Sequence, residues 1–122
     1  MGLDSYWYHD EWTDEDGNVD AEQVPYPKDI SLIGGMLSGH GDGSFRGKSY
    51  NTFIENVTGV SLYQHEIDSE TVMRMAEELE RASWEDVQDR VGAAPRDEEE
   101  FEDLRTMFRF YADRGAILCG WW

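Results

Sequence analysis

Residues 97–119 decide the fold class and read DEEEFEDLRTMFRFYADRGAILC. They predict an amphipathic helix over about 97–113, because large apolar side chains recur there at helical spacing: Phe101, Leu104, Phe108 and Tyr111. The acidic first turn suits the positive end of a helix dipole. Gly115 ends the helix, and the fully apolar Ala116–Cys119 then predicts an interior strand. A helix that leads directly into a buried strand indicates a domain of mixed α and β structure.

The N-terminal third predicts strands that form a hairpin. Leu3–His9 is rich in the aromatic residues that favour strands, and Asp16 with Gly17 is a strong hairpin-turn signal. The expected return strand covers about Val19–Val24 at the sheet edge, because it is acidic and is followed by two prolines. Ile30–Ile33 is a short apolar run that predicts a buried strand.

Three or four helices follow, together with one further strand. Capping residues mark where each helix begins, and glycine or proline marks where it ends. The predicted elements are a helix over Tyr50–Val57 capped by Ser49 and ended by Gly59, a strand over Val60–Gln64, a helix capped by Asp68 or Ser69 that reaches Ala82, and a short helix from Ser83 to Val91. The sequence therefore predicts a single α+β domain over residues 1–122. Its small, mainly antiparallel sheet consists of the N-terminal hairpin and the C-terminal strand, and the helices pack against it.

The net charge of −17 at pH 7 excludes several classes of function. The chain of 122 residues has 27 acidic side chains against 10 basic ones, so direct binding to nucleic-acid backbones or to anionic membranes is not expected. Aromatic residues make up 13% of the chain, which favours a folded domain over intrinsic disorder. The basic residues are mostly arginine, which fits either a GC-rich genome or a salt-adapted host.

Targeting signals and disulfides are not predicted. The first residues lack the basic and apolar regions of a signal peptide, and no apolar run approaches the length of a membrane span. Cys119 is the only cysteine, so no intrachain disulfide can form. These observations predict a cytoplasmic location, and the aromatic content favours a homo-oligomer.

One window of the chain lacks the acidic charge and coincides with a Gly-rich loop. Residues 1–29 carry a net charge of −8 and residues 55–122 carry −10, whereas residues 30–54 carry +1. Within this window, residues 34–48 read GGMLSGHGDGSFRGK and lie between a predicted strand and a predicted helix. In that context backbone N–H groups and a helix N-terminus can hold an anion. The spacing is one residue short of the Walker A motif and does not fit the dinucleotide fingerprint.

The candidate ligand-binding residues supply positive charge, hydroxyl groups and aromatic rings. Arg46 and Lys48 would make charge-assisted contacts with the anion, and Tyr50, Phe45 or the N-terminal aromatic residues would stack on a base. The predicted set from the loop and from the last helix is Ser38, His40, Ser44, Phe45, Arg46, Lys48, Tyr50, Arg105 and Arg109.

Arg105 and Arg109 share one face of the last predicted helix at i, i+4. One interpretation is a solvated face on which Glu102 and Asp113 pair with them, and such exposed pairs contribute only about 0.3–0.5 kcal/mol. The other interpretation is that both arginines join the loop cations around one anionic ligand.

Trp121 and Trp122 require a cover because they are large apolar side chains. We expect the core to cover them, with a subunit interface as the second possibility.

Catalysis and metal binding are not predicted. Ser44 with His40 and Asp42 has the residue types of a nucleophilic site, but catalytic triads are assembled from distant segments. Cys119 lies in an apolar run, where burial makes a thiol unreactive. The acidic segment after His9 fails the EF-hand spacing, and the histidines form no close pair. We therefore assign no catalytic residue, no metal and no cofactor.

Three functional hypotheses follow from these observations. The first is a non-enzymatic binding protein that holds a small anionic ligand, such as a nucleotide or a phosphorylated metabolite, at residues 34–48. The second is an acidic interaction or inhibitor protein that binds a basic protein partner, for example as a nucleic-acid mimic. The third is a small hydrolase that uses His40 and Ser44.

Overall fold

The computed structural model describes residues 3–18, 20, 23–25, 27, 30, 44–88 and 95–122. The elements formed by these residues are β1 Asp4–Tyr8, a 3₁₀ turn Asp10–Trp12, β2 Ser44–Phe45, α1 Gly47–Thr58, β3 Glu66–Ile67, α2 Ser69–Arg81, α3 Trp84–Val87, α4 Glu98–Ala112 and β4 Ile117–Trp121. The strands form one sheet in the order β2-β1-β4-β3, and every neighbouring pair is antiparallel. The predicted α+β class, with a small antiparallel sheet packed by helices, is thereby confirmed.

The C-terminal strand β4 lies inside the sheet, as predicted. It pairs with β1 along its whole length and with β3 on its other edge. The inner position suits an apolar strand, because both of its edges make backbone hydrogen bonds. The other strand predicted from an apolar run, Ile30–Ile33, lies outside the described residues except for Ile30, which is buried.

The predicted pairing of the N-terminal hairpin is wrong, although its turn is present. Gly17 has a φ of 84°, and its N–H donates to the Asp14 carbonyl. However, β1 pairs with β2 and β4, and no described residue of 19–24 pairs with it. The physical reason is the 3₁₀ turn at Asp10–Trp12, which turns the chain away from β1 before the Asp-Gly turn is reached. The N–H of Asp20 then donates to the last carbonyl of that 3₁₀ turn.

Three helices begin where the sequence predicts, because an acidic or hydroxyl side chain caps each of them. The cap bonds are Asp68 accepting from the Thr71 N–H at 2.7 Å, Ser83 accepting from the Asp86 N–H at 3.3 Å, and Asp97 accepting from the Glu100 N–H at 2.9 Å. The predicted end of the short third helix, at Val91, lies outside the described residues.

The first helix begins earlier than predicted, at Gly47, so Ser49 is not its cap. Gly47 packs against β1, where a Cβ atom would overlap the Ser5 hydroxyl. The N–H of the next helical residue donates to the Leu3 carbonyl at 3.1 Å. These contacts with the N-terminal segment, which lies far away in sequence, set the start of α1. Its end agrees with the prediction, because Gly59 adopts a φ of 79°.

The predicted strand Val60–Gln64 is wrong, and the strand in this region is β3, which begins at residue 66. The Leu62 N–H donates to Asn51 Oδ1 at 2.7 Å, and the Tyr63 N–H donates to the Ser61 hydroxyl at 3.1 Å. Because side chains accept these backbone donors, the segment forms turns instead of a strand ladder.

The core lies between the helices and one face of the sheet, which we call the inner face. Trp7 is at its centre, with its ring parallel to Tyr111 at 4.7 Å between centroids and edge-to-face with Phe108 at 5.1 Å. Helix α1 also contacts β1, helix α2 contacts β4, and α4 packs on α2. Other large side chains buried here are Leu3, Phe45, Tyr50, Phe53, Ile54, Leu62, Met75 and Phe101. Within the described ranges, no helix has the length and apolar character needed to cross a membrane.

Candidate interaction surface

The side of the sheet opposite the core presents one continuous set of side chains. Directly opposed residues of antiparallel strands point to the same face. Tyr8 opposes Ile117, Tyr6 opposes Cys119, and Cys119 also opposes Glu66. We call the resulting set the outer sheet face, which consists of Asp4, Tyr6, Tyr8, Glu66, Ile117, Cys119 and Trp121.

The outer sheet face leaves aromatic surface in contact with solvent. Tyr6 is 38% exposed and Trp121 is 73% exposed. The residues that alternate with them, Trp7, Leu118 and Gly120, are buried. The expectation that the core covers Trp121 is therefore wrong. The reason is the alternation of β4, which directs Leu118 inward and Trp121 to the outer side.

Trp122 belongs to a second aromatic group beside this face, and it too is not covered by the core. Its ring is parallel to the His65 imidazole at 5.0 Å between centroids and edge-to-face with Tyr63 at 5.6 Å. Trp122 is 45% exposed. Gly120 allows the segment before β3 to approach closely, because a Cβ there would lie 2.6 Å from the Gln64 carbonyl oxygen. We call Tyr63, His65 and Trp122 the terminal aromatic cluster.

Tyr6, Cys119 and Glu66 form a row across the outer sheet face, and their polar groups interact. Burial raises the pKa of the Cys119 thiol, the hydrogen bond with Tyr6 partly offsets this rise, and the Glu66 carboxylate adds to it. Burial also raises the pKa of Tyr6, and Cys119 and Glu66 raise it further. The thiol and the phenol therefore stay protonated at neutral pH. A protonated thiol is a poor nucleophile, which agrees with the prediction that Cys119 is unreactive.

Carboxylates border a hollow at the Tyr8 end of the outer sheet face. The hollow has a volume of about 230 Å³ and is lined by Tyr8, His9, Asp10, Glu66, Gly115 and Ile117. The Tyr8 hydroxyl donates to Asp10 at 3.0 Å, and this bond raises the pKa of Tyr8. In the part of the chain that the structure describes, no three acidic, histidine or cysteine side chains are placed to hold a metal ion. The carboxylates give this end of the face a negative potential.

The predicted loop site is described only in part. Ser38 and His40 lie outside the described residues, and for Ser44 the structure describes the backbone in β2. Phe45 and Tyr50 are 1% and 0% exposed. Their rings therefore pack in the core and do not line a surface site.

Arg46 and Lys48 are exposed on either side of the first residue of α1. Arg46 Nη1 lies 3.3 Å from Asp4 Oδ1, and both side chains are about half exposed. The structure thus brings two cations to the N-terminus of α1, and one of them neutralises a carboxylate of the outer sheet face.

Arg105 lies on α4 against the C-terminal end of α2. Its Nε donates to the Leu79 carbonyl at 2.9 Å, and its Nη2 donates to the Ala82 carbonyl. Its Nη1 pairs with Glu102 at 2.7 Å, as one interpretation of the sequence predicts. The guanidinium therefore satisfies helix-end carbonyls that have no partner within their own helix.

Arg109 joins the same two helices one turn further along α4. Its Nε donates to Glu80 of α2 at 2.9 Å, and its Nη1 pairs with Asp113 at 3.1 Å. The hydrogen bond with Arg109 lowers the pKa of Glu80, and the two carboxylates raise the pKa of Arg109. The partners of Arg105 and Arg109 lie on α2, on α4 or directly after α4. These contacts therefore do not bring either arginine to Arg46 and Lys48.

The described residues thus present two surfaces with opposite character. The outer sheet face, with the terminal aromatic cluster beside it, is aromatic and acidic, whereas the start of α1 is basic. Comparison of the chain with protein-family models, with curated proteins and with solved structures finds no match.

Proposed function

We propose that the chain is a non-enzymatic interaction protein whose acidic surface binds a basic protein partner. The observation that carries this proposal is the exposure of both C-terminal tryptophans, at 73% for Trp121 and 45% for Trp122. Tryptophan is the residue type most enriched at the energetic centres of protein interfaces. Two exposed tryptophans on adjacent positions therefore support a partner-binding surface.

The charge of the chain supports a basic partner. A net charge of −17 creates a long-range negative field that speeds association with positively charged proteins and disfavours acidic ones. Several of the described arginines are already paired with carboxylates of the chain itself. A nucleic-acid mimic that occupies a DNA-binding protein is one form of this function. The cytoplasm is the proposed location.

The partner class can be tested by capture from a lysate of the source organism. We expect the immobilised chain to retain a basic protein whose affinity is on the order of tenfold weaker at 1 M than at 0.1 M salt, because the Debye length shortens from about 10 Å to about 3 Å. A variant that combines Trp121→Ala and Trp122→Ala should lose this protein while keeping its circular dichroism spectrum.

Two results would contradict the proposal. One is a captured protein whose binding is insensitive to salt, and the other is equal retention by the double tryptophan variant. For the mimic form, the captured protein should release bound DNA when the chain is added, and failure to compete would exclude that form alone.

A second candidate function, the binding of a small anionic ligand at residues 34–48, is favoured by one observation. Arg46 and Lys48 are both exposed at the N-terminus of α1, where their positive charges attract anions. If this function is correct, Arg46→Ala with Lys48→Ala should weaken the binding of AMP and of inorganic phosphate at least tenfold by calorimetry. Arg81→Ala removes an exposed cation elsewhere and serves as the control. Equal affinities for all three proteins would exclude the loop as an anion site.

The remaining hypotheses from the sequence stay predictions. A hydrolase would use His40 and Ser44, and turnover that survives alanine at both positions would exclude it. A homo-oligomer is expected from the aromatic content, and sedimentation of the purified chain reports its subunit number.

A further inference from the structure

We infer that the outer sheet face docks an arginine-bearing, extended segment of the partner, an inference that rests on the proposed function. The face combines exposed aromatic rings with carboxylates, and these are the two groups that a guanidinium contacts most favourably. The inference thereby names the surface and the side-chain chemistry of the partner.

The aromatic rings of the face are placed to accept planar cations. Tyr6 and Trp121 are the most exposed of them, and Tyr8 lies two residues beyond Tyr6 on the same strand. Guanidinium groups stack on aromatic faces more readily than ammonium groups do, because they are planar and weakly hydrated. Arginine is therefore the favoured cation for this surface.

The charge of the face complements a basic segment and opposes a second copy of the chain. Within the described ranges, Glu66 makes no ion pair with any cation of the chain, and it lies in the same row as Tyr6. Asp10 and Glu66 both line the hollow at the Tyr8 end of the face. A two-fold contact would place this acidic face against itself, which like-charge repulsion disfavours.

The spacing of the face suits an extended segment. Opposed residues form successive rows across the face, and these rows begin at Asp4, Tyr6 and Tyr8 of β1. They are therefore two residues apart along the strand, which corresponds to about 7 Å in an antiparallel strand. The side chains on one side of an extended peptide repeat at the same interval. Arginines at alternate positions of the partner can therefore contact successive rows.

The test uses a fluorescently labelled peptide with arginine at alternate positions and threonine between them, measured by anisotropy. The face variant combines Trp121→Ala with Glu66→Gln. The control combines Glu70→Gln with Glu77→Gln, which removes two exposed carboxylates of α2 and leaves every aromatic residue in place. We expect the face variant to bind about tenfold more weakly than the wild type, the combined effect of an exposed cation–π contact and an exposed ion pair. The control should stay within about twofold.

Several outcomes would overturn the inference. Equal loss in the control would mean that charge alone drives binding, which leaves the proposed function intact but removes the site. A matched lysine peptide that binds as tightly would remove the preference for arginine. A wild-type dimer that the face variant converts to a monomer would identify the face as a self-interface. Salt-insensitive binding of the peptide, in contrast, would contradict the proposed function itself.

Discussion

Replacing Trp7 with alanine should lower the free energy of unfolding by about 3–5 kcal/mol, the usual cost of truncating a large buried aromatic residue. Trp7 is completely buried on β1 and is the point where the sheet meets α4. Its ring lies parallel to Tyr111 at an interplanar angle of 10° and also contacts Phe108 and Phe45. Removing it leaves a cavity that these rings cannot fill. Urea denaturation, followed by circular dichroism, measures the loss.

The variant Trp7→Phe separates ring packing from hydrogen bonding and remains informative if Trp7→Ala does not fold. In the described residues the Trp7 indole N–H has no hydrogen-bond partner. Phenylalanine should therefore cost clearly less than alanine, because it keeps most of the aromatic contact and loses no hydrogen bond. Equal destabilisation by the two variants would show that ring packing with Tyr111 and Phe108 is not the main contribution.

The helices could be predicted from the sequence because their signals are local. Asp68, Ser83 and Asp97 each cap a helix through a bond to a residue only three positions ahead. The apolar spacing of α4 likewise lies within one element. Such signals need no knowledge of what the helix packs against. The start of α1 could not be predicted from local signals, because contacts with Ser5 and Leu3, which are distant in sequence, determine it.

The strand partners could not be predicted in the same way, because pairing depends on contacts between distant segments. The Asp16-Gly17 signal correctly predicts a turn. However, the 3₁₀ turn before it directs the chain away from β1, so the residues that flank Asp16-Gly17 do not continue that strand. Only the observed register, in which Tyr6 lies between residues of β2 and β4, shows which side chains share a face.

The candidate surface was missed for the same reason. Glu66 lies beside Tyr6 and Cys119 only through the pairing of β3 with β4 and of β4 with β1. One local signal was available, since alternation along β4 places Trp121 on the side opposite to Leu118. Without the sheet order, this alternation does not tell which side the helices cover. Composition and charge point instead to the Gly-rich loop, and most of that loop lies outside the described residues.

Replacing Arg105 with alanine should lower the free energy of unfolding by about 2 kcal/mol, within the range for hydrogen bonds that involve a charged group. Arg105 is only 21% exposed, and its guanidinium donates to the carbonyls of Leu79, Glu80 and Ala82 at the end of α2. It also lies over the Phe101 ring, at 4.4 Å from the centroid. The variant leaves the buried Leu79 carbonyl without this donor and removes one of the polar links between α2 and α4.

Arg81→Ala provides the matched control for Arg105→Ala. Arg81 lies in the last turn of α2, so its charge also interacts with that helix dipole. It is 67% exposed and pairs with Glu77 and Glu78 of its own helix. Its loss should therefore change the free energy of unfolding by no more than about 0.5 kcal/mol. Arg105→Lys should recover only part of the loss, because an ammonium group cannot reach several carbonyls in the fork geometry of arginine. If Arg81→Ala were as destabilising as Arg105→Ala, general charge at the end of α2 would explain both results, and the bonds from Arg105 to the helix-end carbonyls would contribute little.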